Sequence, residues 1–453
     1  MDYDAIIIGG GPAGTKCAIE LGHAGKKVAL IEKDAIGGVC LNRGCIPSKT
    51  YLYLVELLEN FKKAKRHGIE AGEAKVIWAD AKKRKDMNVK MLGMGLTKSV
   101  ECKGVEIIKG EARLKSANQV QITTQEGDKN ITAKNIVLAT GSVPVFLPFM
   151  PKGEHVISAK ELLDIEEIPQ SLAIVGGGVT GVEMASVFAA LGTNVSIIEM
   201  QDALLPSQDS EIGEHLKKSL EKQGVKIHLN TQVLSCQDEN GRAQLIYKTP
   251  QGEEVTETID KALIVIGRRV NYDPQQLAEI GIENDGRRLI LNENLQSSLA
   301  NVYMIGDSAF RNLTAYAAER EAECVAAHIL GQAKQINYDH VPVTVFSRPE
   351  VASIGLTEEQ AKEKGINYEV KKSEYAANAK AIIMGEREGM VKIIIEKDSQ
   401  KLLGVHIVGS HAADLIHQAL IPVNLGMTKE EWLEVIWSHP VLSEVIKSAL
   451  ESH

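Results

Sequence analysis

One pattern occurs twice in this chain and constrains its fold more than any other feature: a short apolar run, a glycine-rich turn, a helix-length stretch, then a second apolar run ending in an acid. The first copy runs Ala5-Ile6-Ile7-Ile8, then Gly9-Gly10-Gly11-Pro12-Ala13-Gly14, a helical stretch to Gly25, and Val28-Ala29-Leu30-Ile31 ending at Glu32. The second runs Leu172-Ala173-Ile174-Val175, then Gly176, Gly178 and Gly181, and Val195-Ser196-Ile197-Ile198 ending at Glu199. Gly9 to Glu32 and Gly176 to Glu199 both span 23 positions. Gly-x-Gly-x-x-Gly by itself is only a glycine-rich turn. Between a strand and a helix, with an acid closing the next strand, it is the pattern of a dinucleotide-binding unit. The first glycine permits the tight turn, the second lets a pyrophosphate approach the backbone, and the third lets the helix pack on the strand. The helix start offers free N–H groups and a positive dipole end to the phosphates.

Two such units suggest two different dinucleotides, and electron transfer between a flavin and a nicotinamide is the simplest use of them. Either acid can accept hydrogen bonds from ribose hydroxyls. In the second copy Glu199 suits a free 2′-hydroxyl and would repel a 2′-phosphate. No arginine stands between Glu199 and Pro206 to receive one, so NAD is expected over NADP. The competing reading of Glu199 is an exposed acid at a strand end.

The length of 453 residues predicts three or four domains with cores large enough to need no disulfide staples. A formal net charge of −9 argues against nucleic-acid and membrane-surface partners. The basic runs Lys62-Lys63-Ala64-Lys65-Arg66 and Lys82-Lys83-Arg84-Lys85 have helical patterning and no interleaved aromatics, and are read as solvated faces. Met1-Asp2-Tyr3-Asp4 leads into an apolar strand without a basic n-region, and no apolar run approaches the ~20 residues of a membrane helix. A soluble, cytoplasmic protein is expected. Such a protein uses a close cysteine pair for catalysis or metal binding.

That pair is Cys40 and Cys45, in Gly37-Gly38-Val39-Cys40-Leu41-Asn42-Arg43-Gly44-Cys45-Ile46-Pro47-Ser48-Lys49. A regular helix would hold α-carbons five positions apart at ~8–9 Å, beyond disulfide reach, so a disulfide requires a tighter, distorted turn at Asn42-Arg43-Gly44. A disulfide closing so small a loop stabilises little and suits an electron relay better than a staple. Zinc ligation and inert thiols are the other two readings; zinc would want a second Cys or His pair, and none is suitably spaced nearby. Cys17, Cys102, Cys236 and Cys324 read as small packing residues.

The segment around the pair resembles the redox motif of the pyridine nucleotide–disulfide oxidoreductases, and its Leu-Asn-x-Gly-Cys-Ile-Pro-Ser-Lys form is most similar to their dihydrolipoamide dehydrogenase branch. The resemblance extends along the chain. Ala139-Thr140-Gly141 resembles the strand closing the first FAD section, and Gly267-Arg268-Arg269 the end of the NAD domain. Ile305-Gly306-Asp307 resembles the second FAD motif, whose aspartate holds the ribityl chain. Thr344-Val345-Phe346 through Val351-Ala352-Ser353-Ile354-Gly355 resembles the start of the interface domain, and Ala376-Ala377-Asn378-Ala379-Lys380-Ala381 again matches the same branch. The resemblance implies an α/β fold with two Rossmann-like FAD/NAD(P)-binding domains and an α+β C-terminal dimerisation domain. The corresponding divisions are 1–146, 147–266, 267–335 (completing the FAD site) and 336–453. It implies FAD and NAD as cofactors, with cofactor contacts from Gly9, Gly11, Gly14, Glu32, Lys33, Gly38, Lys49, Ala112, Thr140, Gly141, Asp307, Ala315, Gly176, Gly178, Gly181, Glu199, Val233 and Gly267.

The same resemblance gives roles to the reacting groups. Ser438-His439-Pro440-Val441-Leu442-Ser443-Glu444 is similar to the family's His-Pro-Thr-x-Ser-Glu signature. His439 is then the acid/base that thiol–disulfide exchange needs, and Glu444 orients its ring. A lone histidine before proline is otherwise an ordinary loop residue. Cys40 becomes the interchange thiol, Cys45 the thiol facing the flavin, and Lys49 and Glu183 a pair beside the flavin. The implied reaction is oxidation of protein-bound dihydrolipoamide, with electrons passing to FAD and then as hydride to NAD. The family brings the histidine from a second subunit, so a homodimer is implied, with a separate lipoyl-bearing protein of a 2-oxoacid dehydrogenase or glycine-cleavage complex as partner. Val39 and Val441 stand where threonines are usual, Trp437-Ser438 where His-Ala is common, and Tyr316 where histidine is common; these bear on the choice of disulfide. Glutathione reductase would want phosphate-binding arginines, and mercuric and long thioredoxin reductases a C-terminal redox tail, where this chain has Ala449-Leu450-Glu451-Ser452-His453. Another reductase of the family, or a flavoprotein subunit with a docking role, are the alternatives.

Overall fold

The computed structural model describes residues 1–70 and 72–452. Its two compact units are residues 1–50, 79–145 and 267–338, and residues 51–78, 146–266 and 339–453.

The first unit is built on the first glycine repeat. Tyr3–Ile8 pairs in parallel with Val28–Glu32 on one side and Gly127–Leu138 on the other. Glu106–Lys109 extends the sheet beyond Val28–Glu32, and Val302–Met304 joins the end of Gly127–Leu138, both in parallel. Gln119–Thr124 pairs antiparallel with the outer half of Gly127–Leu138, and Glu111–Ser116 pairs antiparallel with Gln119–Thr124 at the edge. The central segments are β-branched or aliphatic on both faces because helices cover both faces of a parallel sheet. Ala5, Ile6, Ile7, Ala29, Leu30, Ile136, Val137 and Val302 are all fully buried. The crossover helix Pro12–His23 opens with proline at its first turn, where the missing N–H costs nothing, and buries Cys17, Ala18 and Leu21.

The second unit repeats the pattern. Lys226–His228, Asn194–Ile198, Ser171–Val175, Lys261–Ile264 and Val156–Ile157 form an all-parallel sheet in that order. Helix Val179–Ala190 makes the crossover and is buried from Gly181 to Phe188. The same unit holds a five-stranded antiparallel sheet. Glu350–Gly355, Leu402–Gly409, Gly389–Glu396 and Tyr368–Glu374 follow one another in it, with Val343–Val345 at one edge. Helix Glu444–Glu451 packs Val445, Ile446, Ala449 and Leu450 into this sheet's core. The architecture is α/β with two dinucleotide-fold sheets and an α+β C-terminal part.

Three expectations are corrected. Lys85 lies in helix Trp78–Glu101 but is buried and pairs with Asp86 at 2.8 Å, so that basic run is not wholly a solvated face. Cys102 is exposed and is not a packing residue, whereas Cys17, Cys236 and Cys324 are buried. Burial pushes the Cys17 and Cys236 thiols up to about 12, which keeps them protonated and inert. Ala139-Thr140-Gly141 does not form a strand: the strand stops at Leu138, and Gly141 takes a left-handed φ of 73°. Among the described residues no helix is long and apolar enough to cross a membrane.

Candidate active site

The two glycine loops have the same geometry. A Cβ on Gly9 would stand 2.2 Å from the Ala139 carbonyl oxygen, and one on Gly14 1.8 Å from the Gly9 oxygen. In the second copy Gly176 would meet the Val265 oxygen at 2.6 Å and Gly181 the Gly176 oxygen at 2.1 Å. The first and third glycines are therefore required by the protein's own backbone. The middle glycines are different. A Cβ on Gly11 would have only Gly38 Cα within reach, at 3.9 Å, and one on Gly178 would meet nothing within 4 Å. Each middle glycine leaves a small cradle at the start of a 12-residue helix with no side-chain cap. The free N–H groups suit a phosphate.

The acids close these loops. Glu32 accepts from Gly10 N at 2.7 Å and Asp34 N at 2.7 Å. Glu199 accepts from Gly177 N at 2.6 Å and Gln201 N at 2.7 Å. Glu199 is 9% exposed, so it is not the exposed strand-end acid of the competing reading. Thr140 has a buried hydroxyl oxygen without a hydrogen-bond partner, as a ligand-facing group would. Asp307 sits in the turn Gly306–Ser308 after strand Val302–Met304. It accepts from the Ser142 hydroxyl at 2.5 Å, and Arg268 donates to that Ser142 oxygen at 2.6 Å and to the Ser142 carbonyl at 2.8 Å. The sequence reading missed Ser142 as a support for Asp307, and no local motif marks it.

The remaining cofactor candidates are placed as follows. Lys33 pairs with Glu111 at 3.1 Å on the surface, and Ala112 follows on strand Glu111–Ser116. Ala315 opens helix Ala315–Ile329, whose cap Thr314 makes no side-chain cap bond. Val233 lies at a register shift in strand Gln232–Glu239, and Gly267 has a φ of 131° with open space beside it. Lys49 is on helix Cys45–Lys63 in the first unit. Glu183 is buried in the second unit and accepts from Phe346 N at 3.0 Å.

The two sulfurs Cys40 and Cys45 are joined in a disulfide with Cα atoms 4.7 Å apart. Helix Gly38–Arg43 ends and helix Cys45–Lys63 begins on either side of Gly44, so the chain breaks where the spacing demands it. Gly44 approaches the Val39 carbonyl so closely that a Cβ would sit 3.2 Å from it. Asn42 fastens the turn, donating to Ile36 O at 3.1 Å and Gly38 O at 2.9 Å, and Arg43 pairs with Asp34. The helix carrying Cys40 starts against the first glycine loop, since a Cβ on Gly38 would lie 2.7 Å from Gly11 Cα. The redox pair is thus built beside a dinucleotide cradle.

His439 is 69% exposed and its Nδ1 lies 3.0 Å from Glu444 Oε1. Val441 N donates to Glu444 Oε2 at 3.0 Å. These two contacts, the backbone one first, hold the Glu444 carboxyl below the usual carboxylate range, so it stays ionised and fixes the ring. Nε2 is the ring nitrogen that Glu444 does not hold. Val39 and Tyr316, two of the departures from the family pattern, are both exposed.

Residues 3–322 match the pyridine nucleotide-disulphide oxidoreductase family, and residues 341–450 match that family's dimerisation domain. A dihydrolipoyl dehydrogenase of Bacillus subtilis is 36% identical, covering 98% of this chain and 97% of its own. The mitochondrial dihydrolipoyl dehydrogenase 2 of Arabidopsis thaliana is 36% identical over 99% of this chain and 90% of its own. Among solved structures, the copper(II) complex of the HOCl-induced flavoprotein disulfide reductase RclA of Escherichia coli aligns with a TM-score of 0.88. It is 28% identical and covers 99% of both chains. The repeated dinucleotide cradles, the cysteine pair beside the first of them and these full-length matches make the chain a member of the pyridine nucleotide-disulphide oxidoreductase family, enzymes that use FAD and a nicotinamide dinucleotide.

Proposed function

We propose that the protein is a dihydrolipoamide dehydrogenase, oxidising protein-bound dihydrolipoamide to lipoamide with reduction of NAD. The observation that carries the reading is the Cys40–Cys45 disulfide on a helix break packed against the Gly11 loop. Residues 1–146 and 267–335 would form the FAD part, 147–266 the NAD part and 336–453 the interface. The match of residues 341–450 to a dimerisation domain supports a homodimer. Four free thiols, one of them exposed, accord with a reducing, cytoplasmic setting.

The steps assigned to the chain's own residues are these. In the homodimer, His439 Nε2 of one subunit takes a proton from a substrate thiol at the other subunit's cysteine pair, while Glu444 stabilises the ring that gains it. The thiolate attacks Cys40 Sγ, a mixed disulfide forms, and the Cys40–Cys45 bond breaks with its electron pair on Cys45. The second substrate thiol then attacks the mixed disulfide, releasing the cyclic disulfide and leaving both cysteines reduced. Bound FAD would pass that electron pair on to NAD as hydride. Gly11, Gly14, Glu32, Lys33, Gly38, Ala112, Thr140, Gly141, Asp307 and Ala315 would hold the flavin nucleotide. Gly178, Gly181, Glu199, Val233 and Gly267 would hold the nicotinamide one, with Glu199 selecting a free 2′-hydroxyl. Lys49 would stand at the flavin's reactive edge, stabilising its negative charge.

The test is NADH formation by the purified flavoprotein given dihydrolipoamide and NAD, with NADP in parallel. Turnover with NAD alone is expected. Reduction of Cys40–Cys45 by NADH without dihydrolipoamide turnover would shift the reading to another disulfide substrate, which the exposed Val39 and the Trp437-Ser438 replacement would then help to select. A lipoyl-bearing acyltransferase or glycine-cleavage protein is the expected partner.

A further inference from the structure

The segment Ala376-Ala377-Asn378 has no part in the reaction as described, yet its hydrogen bonds run to the loop that carries His439. Asn378 is 7% exposed and caps the helix Ala379–Met384, its Oδ1 accepting from Ala381 N at 3.0 Å. That bond fixes which end of the amide is oxygen, so the other end is the donor. Nδ2 donates to Val441 O at 3.2 Å. On the other side of the same residue, Val441 N donates to Glu444 Oε2, the carboxylate that holds His439 Nδ1.

The anchor behind Asn378 is rigid. Asn378 N donates to Tyr375 O at 2.9 Å. The Tyr375 ring is fully buried and lies over two glycines of the antiparallel sheet. A Cβ on Gly409 would come within 2.5 Å of the ring, and one on Gly389 within 3.0 Å. The Tyr375 hydroxyl donates to Ser410 O at 3.0 Å. A continuous path therefore runs from the sheet through Tyr375, Asn378 and Val441 to Glu444. Between the half-buried Trp437 and Leu442 the loop itself is exposed at Ser438, His439 and Pro440, so apolar packing leaves its middle to be set by hydrogen bonds.

From this we infer that Asn378 is a positioning residue for the His439 acid/base, setting the height of the Val441 peptide and through it the Glu444 carboxylate. The inference rests on the reading of His439 as the base. Asn378 touches no reacting atom; a displaced Glu444 would leave the His439 ring free to turn away from the attacking thiol, and misplacement of that kind costs rate rather than fold.

Two variants separate the two jobs of the side chain. Asn378→Asp and Asn378→Ser both keep a good helix cap; the Asp carboxylate has no donor for Val441 O, and the Ser hydroxyl, one bond shorter than Asn378 Nδ2, does not reach it. Each is made in the full-length FAD-loaded enzyme, and the two half-reactions are followed separately by flavin absorbance: reduction by dihydrolipoamide, which needs the base, and reduction by NADH, which does not. The dihydrolipoamide step is expected to fall roughly ten- to a hundred-fold, with the NADH step within about two-fold of the parent. In the double variant with His439→Gln the loss should equal that of His439→Gln alone, because Asn378 acts through His439. Unchanged dihydrolipoamide reduction in both variants, an equal fall in both half-reactions, or losses that multiply in the double variant would each overturn the inference. If His439→Gln by itself leaves dihydrolipoamide reduction intact, the base assignment has failed and takes the inference with it. A slow His439→Gln beside fast Asn378 variants sinks the inference alone.

Discussion

Replacing Gly11 with alanine tests the cofactor assignment more sharply than replacing either neighbouring motif glycine, because only this one is spared by the protein's own backbone. Its φ of −74° is ordinary for any residue, and the nearest atom to the new Cβ is Gly38 Cα at 3.9 Å. Losing a glycine helix cap to alanine costs about 1 kcal/mol, and stiffening the unfolded chain returns about 0.4–1 kcal/mol. The apoprotein should therefore melt within a few degrees of the parent. A phosphate that must approach the Gly11 backbone would instead meet a methyl group. Loss of one hydrogen bond to a charged group is worth about 1.5–3 kcal/mol, or roughly ten- to a hundred-fold in affinity. FAD titration into apoprotein, followed by quenching of flavin fluorescence, reads this directly. Gly178→Ala, with nothing within 4 Å of its Cβ, should raise the NAD concentration needed for turnover while leaving FAD bound. Gly14→Ala, at 1.8 Å from the Gly9 oxygen, should fail to fold. FAD binding of parental strength in folded Gly11→Ala would refute the cradle. Loss of flavin from Gly178→Ala would refute the assignment of the two loops.

Two further outcomes concern groups that the reaction does not use. Lys392 is 2% exposed and donates to Asp209, itself fully buried, at 2.9 Å, and to Glu358 at 2.6 Å. Lys392→Met leaves Asp209 buried without its counter-charge and should cost about 3–5 kcal/mol; a change below about 1 kcal/mol in urea unfolding would show that the cluster is not held by charge pairing. Glu321 is fully buried, accepts from Gly306 N and from the Tyr338 hydroxyl at 2.6 Å each, and is faced by Asp307 and Arg311. Burial pushes its carboxyl up to about 7. The folded state then binds the proton more tightly than the unfolded chain, so the Glu321 contribution is fully present below pH ~4.5 and is lost as pH rises through about 7. Relative to Glu321→Gln, the parent should lose on the order of 3 kcal/mol of stability between those limits; parallel stability–pH curves for the two proteins would contradict this.

The parts of this molecule that sequence exposed are those whose constraint is local. Gly14 is a glycine because the Gly9 carbonyl of the same strand–turn–helix unit occupies the space of a Cβ, and that requirement travels with the spacing, whereas Gly9 is crowded by Ala139 from far along the chain. The Cys40–Cys45 turn was legible for the same reason: a helix cannot bring those atoms together, so it had to break, and it breaks at Gly44. What stayed hidden depends on partners far along the chain. Ser142 reaches Asp307 across 165 positions and Arg268 across 126, and although both partners lie in motifs, nothing local to Ser142 points to either. The burial of Lys85 on helix Trp78–Glu101 and the exposure of Cys102 just beyond its end are set by what packs around them, which composition and charge runs do not encode. Asn378 was visible as part of a motif, but its second hydrogen bond, to a loop 63 positions away, was not.

The two glycine loops are so alike that loop geometry does not separate a flavin site from a nicotinamide site. Both cradles are open, both helices are uncapped, and both acids hold the loop by a backbone N–H. The difference lies in what stands next to each. Gly11 has Gly38 against it, at the start of the short helix that presents Cys40 and, across Gly44, Cys45; Gly178 has open space. A carrier that must take electrons from the cysteine pair needs contact with it, whereas a freely exchanging dinucleotide needs an accessible cradle. The first loop meets the first need and the second loop the second, so the proposed placing of flavin at Gly11 and nicotinamide at Gly178 rests on their neighbours rather than on the motif they share.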